Sequence, residues 1–196
     1  MFSYAEYRNV ITLVKQNLPI MDFSEVSDEV NSFCVLRHDI EFSIDRALEM
    51  ARIEHEDLNV HSTYTVQLRN NTYNALSQKN IEAIQEIESM GHYIGLHQNP
   101  PMMGDDELVD YILKDIKTLE HYYGFEVDRF AFHRCGSNPT FIFDDYGHEG
   151  RTVRDAINSK LSDGTIKLVT HIGEDKGFVA ANNKTFIGRE GVIVNV

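Results

Sequence analysis

The stretch Phe33-Cys34-Val35-Leu36-Arg37-His38-Asp39-Ile40-Glu41 opens on four apolar residues and closes on a polar, charged run. A short continuous apolar run of this kind fits a strand buried on both faces, as in a parallel sheet. Its charged end then lies where the strand leaves the sheet. Ser43 follows in position to cap a helix over residues 44–57. A buried strand handed directly to a capped helix is the first half of a βαβ unit.

Working outward, the same unit recurs. Val60–Val66 is β-branched and aromatic, which predicts a second strand. Residues 74–90 read as a helix with Leu76, Ile81, Ile84 and Ile87 inward and Gly91 at its C-cap. His92–His97 predicts the third strand, 105–123 a long amphipathic helix ended by Gly124, and Arg129–Arg134 the fourth strand. A helix over 152–162 and a fifth strand over Ile166–His171 complete the series. Upstream, Tyr4, Tyr7, Val10, Ile11 and Val14 share one face of an opening helix over 4–17, before a loop with Pro19 and Asp22. Val192-Ile193-Val194 is strand-like and carries no evident chemistry. Strand and helix alternate through short connections, so the class is α/β with a parallel sheet. Periodicity leaves a closed barrel and an open doubly wound sheet both standing.

The 196 residues suit one domain over 1–196, with a helical addition over 1–30 and a motif-bearing core over 33–172. The apolar share of 42% and charged share of 25% are ordinary for a globular protein. A formal charge of −13 would repel phosphate backbones and anionic lipid, so neither nucleic acid nor a membrane surface is expected as a partner. No run reaches the ~18 apolar residues of a membrane helix, and Met1–Tyr7 has no basic stretch followed by a long apolar one, so export is not expected. Cys34 and Cys135 have no zinc-ribbon or CxxC spacing, so reduced thiols in the cytoplasm are expected.

Chemistry collects at the strand ends. The first strand ends in Asp39 and Glu41, the third in His97, the fourth in His133 and Arg134, the fifth in His171. In parallel β/α folds sites are built at this C-terminal rim. Nine histidines scattered at random would fall mostly on helices and loops. Asp39 and Glu41, two apart, face the same side of the strand. A carboxylate and two imidazoles suit Zn²⁺ with a position left for water, and a second carboxylate and a separate histidine supply base and acid. An arginine nearby would orient the carboxylate. Bland readings compete. Asp39 has a lesser alternative as a helix cap, and His97, His133 and His171, each taken singly, serve as well as structural histidines. His38 alternates to the other face of the strand. It reads as structural, as do His61 and His92; His55, His121 and His148 read as solvated surface.

These segments resemble the polysaccharide deacetylase superfamily (NodB homology, carbohydrate esterase family 4), most of all the O-antigen-cluster branch with an Arg-His-Asp-x-Asp first motif. The likeness rests on Leu36–Glu41, Ser62-Thr63-Tyr64, Gly91–His97, Phe132-His133-Arg134 and Leu168–His171, in the family's order. It implies a distorted (β/α) barrel, here with fewer strands than the full seven, and metal-dependent removal of an acyl group from an N-acylated sugar. The resemblance makes Asp39 and Glu41 the ligand and base, with Asp39 preferred as ligand, leaving Glu41 as base. It makes His97 a ligand and His171 the general acid. His133 completes the metal shell and Arg134 orients the base. A divalent cation, zinc foremost, is the implied cofactor. Co²⁺, Ni²⁺, Mn²⁺ and Fe²⁺ also suit such ligands. Three positions depart from the family pattern. Pro101 stands where a second histidine is usual, Glu41 where the branch has Asp, and Cys135 where the arginine motif has proline.

The expected function is a metal-dependent hydrolase of carbon–nitrogen amide bonds, acting on a small N-acylated sugar, nucleotide sugar or oligosaccharide. Two alternatives share the architecture: a carbohydrate-binding relative that has lost turnover, and another β/α sugar enzyme such as an isomerase or lyase.

Overall fold

The computed structural model describes residues 3–25, 32–98 and 105–133, together with the strand segments 167–168, 178–180, 184–186 and 190–195. The expected helix over 152–162, with Pro101, Arg134, Cys135, His148 and His171, lies outside the described residues.

Helix α1 (Tyr4–Asn17) starts at a capping box in which Ser3 and Glu6 satisfy each other's backbone amides. It buries Tyr7 and Ile11, whereas Val10, expected on the same face, is 40% exposed. Strand β1 (Ser32–Ile40) follows, then α2 (Ile44–Arg52), capped as expected by the Ser43 hydroxyl accepting from the Arg46 amide at 3.3 Å. The helix read as continuous to residue 57 instead widens into a π-helical stretch, Ile53–Leu58. The remaining core elements are β2 (Thr63–Val66), α3 (Gln78–Ser89), β3 (Tyr93–Gln98), α4 (Asp105–Tyr123) and β4 (Arg129–Phe132). Four further strands follow: β5 (Lys167–Leu168), β6 (Phe178–Ala180), β7 (Lys184–Phe186) and β8 (Glu190–Asn195). Gly91 and Gly124 stop α3 and α4 at φ +89° and +81°, backbone angles that glycine adopts without strain.

The main sheet runs β5-β4-β3-β2-β1-β8 with every neighbour parallel. Strands β6 and β7 form a separate antiparallel pair. Parallel strands joined through helices make the distorted (β/α) barrel of the expected class, open among the described residues. The strand-like Val192–Val194 segment is β8, seated beside β1. α1 belongs to the same body: its Tyr7 and Ile11 pack with Cys34, Leu36, Ile53 and Leu58, and Ile20 bridges Cys34.

The two sheet faces differ in chemistry. One face packs Ile40, Tyr64, Val66, Ile94, Leu96 and Phe130 against α2, α3 and α4. The other is polar and still buried, with Arg37, Thr63, Thr65, His97 and Arg129 at 3% exposure or less. Buried polar groups persist only when paired, and Arg129 shows how. Arg129 donates to Asp22 Oδ1 at 2.5 Å and Thr63 Oγ1 at 2.9 Å, and its guanidinium lies 4.2 Å over the Tyr93 ring. Its stem also fixes a glycine: a Cβ at Gly95 would come within 2.9 Å of Arg129 Cγ and 3.2 Å of the Arg129 carbonyl.

Candidate metal centre

The strand registers line up the polar face. Asp39 pairs with Thr65, and Thr65 with Gly95. Carried two residues on, the same registers set Glu41, Gln67 and His97 in one row at the C-terminal rim. His97 pairs with Ala131, so His133 falls one step beyond it on the same face. The His133 amide extends this edge by donating to the Gln98 carbonyl at 2.7 Å.

In that row Glu41, His97 and His133 each turn one ligand atom toward a common point, all within 4.8 Å of one another. His133 Nδ1 lies 3.0 Å from Glu41 Oε1 and 3.1 Å from His97 Nε2, and His97 Nε2 lies 3.9 Å from Glu41 Oε1. Donors bound at 2.0–2.2 Å around a tetrahedral ion stand roughly 3.4 Å apart. The observed spacings bracket that figure. A carboxylate and two imidazoles are also the right donor types for zinc and its first-row neighbours.

The protonation states agree. Burial pushes His97 down to about 4, against the pull of Asp39, so the ring is neutral near pH 7 and has a lone pair to give. Its Nδ1 is buried and lacks a hydrogen-bond partner among the described residues. It faces Asp39 Oδ1 at 3.9 Å, beyond hydrogen-bond range. A ring that gives Nε2 to a cation carries its proton on Nδ1, toward this carboxylate, an arrangement common among metal-binding histidines. The donor set therefore fits a divalent cation.

Asp39 stands apart from the three. Its Oδ2 accepts from Arg37 Nη2 at 2.8 Å and its Oδ1 from Thr65 Oγ1 at 2.7 Å. Burial works to raise its pKa, but Arg37, His97 and the Thr65 hydroxyl together outweigh this and hold the carboxyl below the usual carboxylate range. Asp39 is thus an ionised, braced carboxylate beside His97. The arginine in contact with it is Arg37, two residues back on the same strand face. Arg134 and His171, read from sequence as site residues, lie outside the described residues.

Of the remaining histidines, His38 and His92 are buried as expected, whereas His61, expected to be structural, is exposed. His38 points away from the site, with its Nε2 2.7 Å from the buried Glu54 carboxylate. His92 Nδ1 accepts from the Ser62 amide, and its Nε2 lies 3.0 Å from the Ala51 carbonyl. His55, His61 and His121 are exposed.

Sequence reasoning missed the β2 contribution. Gln67 Nε2 lies 3.1 Å from His133 Nδ1, and Asn70 donates to Gln67 Oε1 at 2.8 Å. Asn70 and Thr72 reach the Glu41 carbonyl, and the Tyr73 hydroxyl the Ile40 carbonyl, so the β2–α3 loop clamps the end of β1. The available signal was register: Gln67 lies two residues past Thr65, as Glu41 lies two past Asp39.

No family model matches the sequence, and no curated protein is similar to it. Solved structures do match. A mutant of a carbohydrate esterase family 4 pseudoenzyme, with restored enzymatic activity, superposes with TM-score 0.50 and 13% identity, covering 83% of this chain and 56% of that one. The chain has the carbohydrate esterase family 4 fold. Two further solved structures align over less of it. The chitin deacetylase of Colletotrichum lindemuthianum gives TM-score 0.48 and 15% identity, covering 70% of this chain and 54% of that one. The wild-type pseudoenzyme from Bacillus anthracis gives 0.46 and 16%, covering 69% and 41%. The chain thus spans about half the length of these solved structures.

Proposed function

We propose that the protein is a metal-dependent hydrolase of the polysaccharide deacetylase superfamily that removes an acyl group from an N-acylated sugar or nucleotide sugar. The observation that carries this reading is the meeting of Glu41, His97 and His133 at the rim, beside an ionised Asp39 braced by Arg37. Glu41, His97 and His133 hold the cation and Asp39 is the base, which reverses the roles preferred for the two carboxylates from the motif alone. A divalent cation held there polarises a carbonyl and lowers the pKa of its bound water, with Zn²⁺ the leading candidate.

The chain's own groups do the rest. Asp39, fixed by Arg37 and Thr65, takes the proton from the attacking water. His171, from the fifth motif of the sequence, protonates the departing amine, and Arg134 keeps the role the resemblance implies, orienting the base. A negative domain suits a soluble precursor better than an anionic surface. The setting is the cytoplasm, in keeping with two cysteines, Cys34 and Cys135, that lack zinc-ribbon or CxxC spacing. Among the described residues no helix is long and apolar enough to cross a membrane.

Acetate release from N-acetylated amino sugars and nucleotide sugars, by zinc- or cobalt-loaded protein, tests the proposal. Turnover that disappears in Asp39→Asn and His171→Ala, while both variants retain metal, supports it. A protein that binds such sugars without turnover under every metal is the carbohydrate-binding relative instead.

A further inference from the structure

Gln67 is 7% exposed and ends in the metal centre. The two ends of an amide are distinguished by their partners. Asn70 Oδ1 is taken by three donors: the Thr72 amide at 2.6 Å, the Thr72 hydroxyl at 2.6 Å and the Tyr73 amide at 3.3 Å. Asn70 Nδ2 is therefore the donor to Gln67 Oε1 at 2.8 Å and to the Glu41 carbonyl at 3.0 Å. Gln67 Oε1 is thus an acceptor, and Gln67 Nε2 presents its N–H to the site. The Gln67 backbone is pinned as well, its amide donating to the Tyr73 hydroxyl at 2.9 Å. The side chain reaches the rim with its orientation set.

It comes to 3.1 Å from His133 Nδ1, the nitrogen that also faces Glu41 and His97. One lone pair cannot serve both a cation and an N–H. Once His133 gives it to the cation, Gln67 keeps a buried donor aimed at the centre with no other hydrogen-bond acceptor among the described residues, and an unmet buried donor is costly. An oxygen held at the open position of the centre removes that cost.

We propose that the Gln67 amide N–H donates to the oxygen of the acyl group at the metal centre and stabilises the negative charge that develops on it. A pre-oriented donor aimed at developing charge is an efficient form of electrostatic catalysis. This inference rests on the hydrolase reading of the same site.

The test uses Co²⁺ and acetate, a carboxylate of the kind the reaction releases, and needs no turnover. Co²⁺ is titrated into wild type, Gln67→Leu and Gln67→Met and followed by its visible absorption. Acetate is then titrated into each Co²⁺ complex. All three proteins are expected to bind Co²⁺ within about threefold of one another, since Gln67 is not a ligand. Acetate is expected to bind the variants at least about tenfold more weakly, the usual cost of a lost hydrogen bond to a charged group. Two near-isosteric variants guard against a local packing fault in either. Equal acetate affinity with Co²⁺ bound would overturn the role of Gln67 and leave the metal centre standing. A tenfold loss of Co²⁺ affinity in both variants would also overturn it, making Gln67 a prop for His133. A wild type that takes up no Co²⁺ would remove the hydrolase reading itself.

Discussion

Asp39 and Glu41 leave β1 on one face, yet they meet different neighbours. Asp39 is taken by Arg37 and Thr65, and Glu41 by the imidazole of His133. The two carboxylates should separate in experiment. Glu41→Gln and His133→Ala are expected to lower Zn²⁺ affinity by at least about tenfold, as the loss of one of three protein ligands requires. Asp39→Asn is expected to leave affinity within about tenfold and to abolish turnover, a split that calorimetry with Zn²⁺ and an acetate-release assay read side by side. The motif showed that both residues belong to the rim because a two-residue spacing fixes a shared face. It could not separate their neighbours, which are Thr65 on β2 for Asp39 and His133, just past β4, for Glu41. Gln67 was illegible for the same reason. An amide has no motif of its own and gains its meaning only from the strand register.

At the scale of elements, the π-helical stretch has a visible cause. Glu54 sits within it, fully buried, accepting from the Tyr64 hydroxyl at 2.6 Å and also from the Tyr7 hydroxyl, with His38 Nε2 at 2.7 Å. The expected helix over 44–57 was right in position, but its periodicity could not reveal that Glu54 would turn inward to His38. Burial works to raise the Glu54 pKa, but His38 and the two tyrosines outweigh it and draw the carboxyl down to about 2. A group whose pKa is lower folded than unfolded stabilises the fold above its unfolded value, here 4.5, and loses that contribution as pH falls toward 2. Urea denaturation between pH 6 and pH 3 is therefore expected to show a steeper loss of stability in wild type than in Glu54→Gln. The variant should itself be less stable at pH 7 by on the order of a few kcal/mol. Gly95→Ala is a second test. The added methyl meets Arg129 Cγ at 2.9 Å and its carbonyl at 3.2 Å, so a loss of about 1–3 kcal/mol is expected in the same assay.

For the molecule as a whole, alternating strands and helices made the α/β class and the parallel sheet readable from residues 33–133, because buried strands and amphipathic helices have distinct periods. The position of β8 was not readable. Val192–Val194 looks like a strand from either end of the chain, and only long-range pairing places it against β1. The closed and open forms were equally compatible with periodicity for the same reason. What the whole fold contributes to function is a polar sheet face whose layers rise from Asp22 and Arg129, through Arg37, Asp39 and Thr65, to Glu41, His97 and His133. The central claim is that this top layer is a metal centre. Elemental mass spectrometry on wild type and His97→Ala, purified without chelator, tests it most directly. About one equivalent of zinc or another transition metal in wild type, lost in His97→Ala, is the expected result. No metal in either protein, even after Zn²⁺ is added, would contradict it.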